Sequence, residues 1–152
     1  MFQRLIRRPE IGPLILLVAE FVIFSAMSPA FLSLSNLSNI MAFTVELGLM
    51  ALAMTLLMTA GEFDLSIGSV FGFSAVLMWT LFNSAGISLE AAFAITMAVS
   101  LFIGWANGYI TTRLAIPSFL VTLGMLLVVR GTALYITDGF PQRTWSGGHN
   151  WL

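Results

Sequence analysis

The chain has 152 residues, 59% of them hydrophobic and 9% charged, with a formal net charge of −1. A soluble domain carries about 25% charged residues, so this material cannot coat a water-facing surface, and the chain reads as an integral membrane protein, all-α by the spans that follow. There is no lysine and no cysteine, which excludes a basic patch for nucleic acid, disulfides, thiolate metal sites and a cysteine nucleophile.

A helix needs about 20 mostly apolar residues to cross the hydrocarbon, and five stretches approach that length. The first covers about 11–30 and follows Arg4, Arg7 and Arg8. Basic residues beside a first span place the N-terminus in the cytoplasm. Arginines before an apolar run also fit a cleaved signal peptide. The length of the run, Glu20 inside it and the lack of a small-x-small cleavage site favour a retained span. The second span, about 40–60, contains Glu46.

The link after it belongs to "MTAGEFDLSIGS", with Glu62, Asp64, Gly61 and Gly68. A local reading explains it. Gly61 ends one helix in the left-handed conformation. Asp64 caps the next by accepting from the amide of Ser66 or Ile67, and Glu62 is solvated. Paired carboxylates also serve acid–base chemistry or a metal. A metal wants more oxygen ligands, and the single histidine, His149, lies far along the chain.

The third span, about 65–82, opens with Gly68 and Gly72; the fourth, about 89–107, holds Gly104 and is followed by Gly108. Glycines four apart share a helix face and permit close approach of another backbone. The polar set Asn107, Thr111, Thr112, Ser118 and Thr122 surrounds the next link, "TTRLAIPS", which also carries Arg113 on the cytoplasmic side. Two readings fit it: hydroxyls bonding back to helix carbonyls, or the lining of a cavity at a broken helix. The fifth span, about 119–137, contains Arg130. Arg143 then falls outside, against the charge rule. All five prolines fall near span ends, where a missing donor is least disruptive.

Ionisable residues within spans normally face a partner or a wet cavity. Glu46 and Arg130 lie at similar depths, each roughly 9–10 Å from the outer end of its span at about 1.5 Å per residue. They read either as a structural ion pair, with a snorkelling Arg130 as the variant, or as polar lining of a solute path. Glu20 has no evident partner and can face another subunit. The residues selected for a path or a structural polar role are Glu46, Asp64, Ser66, Asn107, Thr122 and Arg130; none is read as catalytic, and neither a metal nor a cofactor is expected.

Two blocks then carry a resemblance. "MTAGEFDLSIGSVFGFSA" resembles the T-A-G-(x)-x-D-L-S-x-G-S signature of permeases of ribose- and xylose-type ABC sugar importers. "GWANGYITTRLAIPSFLVTLGMLLVVRGTALYITDGFP" resembles the block that follows it in that family. The order and separation also agree, and the resemblance covers most of residues 38–141. It implies a transmembrane subunit and not an enzyme. It also implies a second permease subunit, a cytoplasmic ABC ATPase and a periplasmic sugar-binding protein as partners, in a bacterial inner membrane. The absence of a G-x-x-x-x-G-K-[ST] loop fits a borrowed ATPase.

Members of that family are about twice as long. The chain therefore reads as the N-terminal half of the permease fold, without the segment that docks on the ATPase. On that reading it does not transport alone or hold the ATPase in a stable complex. The competing reading is part of an ion-coupled secondary transporter or channel, using Glu46 and Arg130.

Overall fold

The computed structural model describes Arg8 and residues 10–140. Five α-helices follow in order: α1 (Ile11–Met27), α2 (Leu34–Thr59), α3 (Ile67–Asn83), α4 (Leu89–Arg113) and α5 (Ser118–Thr137). A short 3-10 turn, Pro29–Leu32, joins the first two. No strand occurs among the described residues. Arg4, Arg7, Arg143, His149, Pro9 and Pro141 lie outside them.

α2, α4 and α5 are long and apolar enough to cross a membrane, while α1 and α3 are apolar helices of 17 residues each. At about 1.5 Å per residue, 17 residues reach about 26 Å, close to the hydrocarbon thickness of about 30 Å.

The helix bounds differ from the hydropathy spans for local reasons. α1 stops at Met27, not Ala30, because Ser28 precedes Pro29 and adopts an extended conformation, φ −141 and ψ 116. The proline Cδ disfavours helical geometry for the residue before it. α2 starts at Leu34, not Ile40. The Ser33 hydroxyl accepts from the Asn36 amide at 3.3 Å, and the Asn36 side chain donates to the Phe31 carbonyl at 2.7 Å. The polar run Ser35–Asn39 is thus the helix's own first turns. α4 similarly continues past Asn107 to Arg113. Hydropathy marks the part of a helix suited to lipid, not the helix.

The chain divides into two compact units between Leu49 and Met50, within α2. In the first, Phe31 of the 3-10 turn packs edge-on against Phe21 of α1, with centroids 5.4 Å apart. Its apolar side chains are largely exposed, as expected for a lipid-facing or partner-facing surface.

In the second unit, α3 packs against both α4 and α5, and α4 against α5. The core is Phe73, Ile103 and Val129, one from each helix, flanked by Val70, Leu77, Val99, Met125, Ala133 and Ile136. Within each helix these positions recur at three- and four-residue spacing, which sets them on one stripe. The opposite faces carry exposed Leu101, Phe102, Leu127 and Val128. Apolar exposure on that scale is foreign to a soluble monomer and ordinary in lipid.

Candidate functional site

The α2–α3 link is an interrupted helix, and its backbone is closed off group by group. The Gly61 amide donates to the Met58 carbonyl at 3.0 Å and the Glu62 amide to the Leu57 carbonyl at 3.2 Å. With Gly61 at φ +80, this is the paired 5→2 and 6→1 closure that ends a helix on a left-handed residue. The expected role of Gly61 is thereby met.

Residues 62–65 lie outside any helix, and two of their amides find side chains from α5. The Phe63 amide donates to the Ser118 hydroxyl at 3.1 Å. The Leu65 amide donates to the Thr122 hydroxyl at 3.1 Å. Ser118 and Thr122 are one turn apart at the start of α5, so one helix face meets alternate amides of the non-helical link. The Thr122 hydroxyl itself donates to the Ser118 carbonyl at 2.8 Å, as the local reading required. Non-helical backbone at membrane depth survives only where protein or a wet cavity satisfies it.

Asp64 performs the local task in altered form. Its Oδ1 accepts from the Ser66 amide at 2.7 Å and from the Ser66 hydroxyl at 2.6 Å. Asp64 therefore closes an Asx-type turn, and Ser66 occupies the N-cap position of α3. The Ile67 amide is not its partner. From α4, the Asn107 amide group donates to the Ser66 hydroxyl at 3.0 Å. Ser66 is fully buried, and Asn107 is 5% exposed. Asp64, Ser66 and Asn107 thus form one hydrogen-bonded chain, which the sequence placed 43 positions apart at its ends only as separate candidates. The Asn107 Oδ1 has no hydrogen-bond partner among the described residues.

This chain borders a cavity of about 240 Å³ whose lining includes Asp64, Ser66, Phe71, Ser100 and Asn107. Ser100 also bonds Ser74 of α3 at 2.8 Å. That α3–α4 hydroxyl pair was missed in the sequence. Its only signal was two serines on core-facing positions of apolar helices. The break also lies inside the end of the bundle: α4 continues six residues, about 9 Å at 1.5 Å per residue, from Asn107 to Arg113.

Glu46 and Arg130 lie elsewhere. Glu46 is near the middle of α2, because that helix begins at Leu34, and it belongs to the first unit while Arg130 belongs to the second. Arg130 borders a separate cleft of about 440 Å³ along α3 and α5, with Gly68, Ser69 and Gly72 on the α3 wall. Neither Gly68–Gly72 nor Gly104–Gly108 has an atom within 4 Å of where a Cβ would stand. Neither pair therefore serves as a close-approach face here. Glu62, expected to be solvated, is half-buried.

A family profile described as "Branched-chain amino acid transport system / permease component" matches residues 36–147, which contains the break, the polar chain and the whole of α3, α4 and α5. The chain belongs to this family. The autoinducer 2 import system permease protein LsrC of Photorhabdus laumondii is 35% identical over 130 residues, 86% of this chain and 39% of that protein. LsrC of Escherichia coli K12 / DH10B is 36% identical over 86% of this chain and 38% of the relative. The ribose import permease protein RbsC of Escherichia coli K12 is 33% identical over 133 residues, 86% of this chain and 40% of the relative. This permease-family chain spans about two fifths of the length of these relatives. The resemblance to sugar-importer permeases read from the two motif blocks agrees with these matches. No solved structure matches the chain.

Proposed function

We propose that the chain belongs to the membrane-spanning subunit of an ABC importer that moves a monosaccharide, or a similar small hydroxylated solute, into a bacterial cell. Family membership is the observation that carries this reading, and relatives named for import of ribose and of autoinducer 2 support the solute class. A second permease subunit completes the path, a cytoplasmic ATPase supplies the energy, and a periplasmic binding protein delivers the solute. The subunit performs no covalent chemistry; its work is to offer alternating polar surfaces to the solute. The N-terminus lies in the cytoplasm of an inner membrane, on the side of Arg113, because basic residues are retained there.

The interrupted helix suits that work. Its break is held by side-chain hydroxyls from α5 and an amide from α4, so movement of either helix changes the polar groups presented there. Asp64, Ser66, Asn107 and Thr122 belong to the path's support or lining. Glu46 and Arg130 are polar groups of the apolar helices α2 and α5, with either a structural role or a place along the path.

The test is uptake of labelled ribose and related sugars by cells lacking and then regaining the gene. Uptake that is restored by the gene and abolished by an ATP-binding defect in the partner ATPase is the expected outcome. Restored uptake that follows membrane potential and ignores the ATPase assigns the chain to a secondary transporter instead.

A further inference from the structure

We propose that the outward face of α4, from Phe102 to Arg113, binds an anionic phospholipid. Nothing in this depends on the importer reading; only the crossing of the bilayer by α4 is required.

Three rings form the apolar part of the face. Phe102, Trp105 and Tyr109 follow one another at three- and four-residue spacing, which sets them on one stripe. The Phe102 and Trp105 rings stack with centroids 5.6 Å apart, and the Trp105 and Tyr109 rings with centroids 5.3 Å apart. None of them packs into the bundle: Phe102 is 63% exposed, Trp105 60% and Tyr109 49%. Rings stacked on one another along a helix present a continuous flat surface, and an acyl chain can lie against it.

Arg113 stands four residues beyond Tyr109 on the same stripe. Its guanidinium makes no ion pair or hydrogen bond with a described residue, and neither does the Tyr109 hydroxyl. Glu62 and Asp64 of the helix break therefore leave Arg113 unpaired. A cation in the last turn of α4 is favoured by the helix dipole, but that effect uses none of its five N–H donors. The next residues, Leu114, Ala115 and Ile116, are apolar, and Leu114 is exposed. The cation thus sits on an apolar rim and not in a polar loop.

Depth sets these groups in order. α4 has 25 residues, about 37 Å at 1.5 Å per residue, and exceeds the hydrocarbon thickness of about 30 Å. Glu90 begins it, and about 20 residues counted from Ala91 end at Ile110. Tyr109 then lies at the hydrocarbon boundary. Arg113 lies about 5 Å past it, inside a headgroup layer of about 5–7 Å on each side. Apolar rings, a hydroxyl and a cation along the helix match acyl chain, ester and phosphate along a phospholipid. Charge selects the class of lipid. A zwitterionic headgroup carries its own cation beside the phosphate, whereas an anionic headgroup leaves its negative charge for the guanidinium.

Membranes of the native host, with every partner subunit present, are fused with vesicles carrying an acyl-chain diazirine probe of phosphatidylglycerol or of phosphatidylcholine. After irradiation the labelled positions of the chain are mapped by mass spectrometry. Phosphatidylglycerol is expected to label residues 102–113 about fivefold more than phosphatidylcholine, the factor for one basic residue beside an anionic headgroup. At Leu52 of α2, exposed and far along its helix from any charge, the two probes are expected to label alike. Arg113→Gln is expected to abolish the preference and Arg113→Lys to keep it, while Trp105→Ala lowers labelling by both lipids. An Arg113 that only served the helix dipole would change stability and leave the preference intact. Equal labelling of the wild-type stripe by both probes, a preference that survives Arg113→Gln, or a stripe that neither probe reaches because a protein neighbour covers it, overturns the lipid site.

Discussion

The Leu65 amide donates to the Thr122 hydroxyl at 3.1 Å across 57 positions of sequence. Through that bond the first turn of α5 holds the non-helical link between α2 and α3. Removing the hydroxyl leaves a part-buried amide without its acceptor, which costs about 1–3 kcal/mol. Thr122→Val is therefore expected to lower unfolding free energy in detergent by that amount, while Thr122→Ser keeps most of it. Equal stability of Thr122→Val and wild type would show that the bond contributes nothing.

Gly61 at φ +80 and Gly48 within α2 make a contrasting pair. An added Cβ meets no atom within 4 Å at either position, so only backbone conformation separates them. The left-handed conformation costs a non-glycine residue about 1–2 kcal/mol, whereas alanine in a helix interior is favoured over glycine by about 1 kcal/mol. Gly61→Ala is expected to destabilise and Gly48→Ala to stabilise. Thermal unfolding of the two variants in one detergent decides it; shifts of the same sign would contradict the argument.

Ala115 occupies the left-handed region at φ 51 in the short link between α4 and α5. Glycine relieves that strain of about 1–2 kcal/mol and adds about 0.4–1 kcal/mol of unfolded-chain entropy. The expected net result for Ala115→Gly is a gain of about 0.5–1 kcal/mol. A measured loss would mean that the strain is held by contacts the alanine methyl makes.

The two readings of Glu46 and Arg130, structural ion pair or separate polar lining, are distinguished by a double-mutant cycle. On the ion-pair reading, Glu46→Gln and Arg130→Gln each leave one charge unpaired, and the double variant loses less folded protein than the two losses combined. Coupling of about 0.5–3 kcal/mol is the range for residues in contact. Strictly additive losses would rule the pair out.

Much of the fold was legible in the residues. Long apolar stretches fixed the helix count, since only a helix satisfies its own backbone in lipid. Gly61 announced its left-handed turn, because glycine tolerates that region at little cost. The helix limits were less legible: Pro29 shortened α1, and Ser33 and Asn36 carried α2 back to Leu34. Both are local hydrogen-bond and steric effects that hydropathy does not weigh.

The site divides in the same way. Asp64, Ser66, Asn107 and Thr122 were recognisable singly, as polar residues in apolar surroundings. By itself the sequence determined that this is a helical membrane chain with a helix break at Gly61 and an acidic residue beside it. Only the tertiary structure decided that Asn107 reaches Ser66, that Ser118 and Thr122 take the amides of Phe63 and Leu65, and that Arg130 borders a different cleft. Helix periodicity tells which residues share a face, but the partner of that face depends on how α3, α4 and α5 pack, and a hydrogen bond is formed only when packing brings donor and acceptor within about 3 Å.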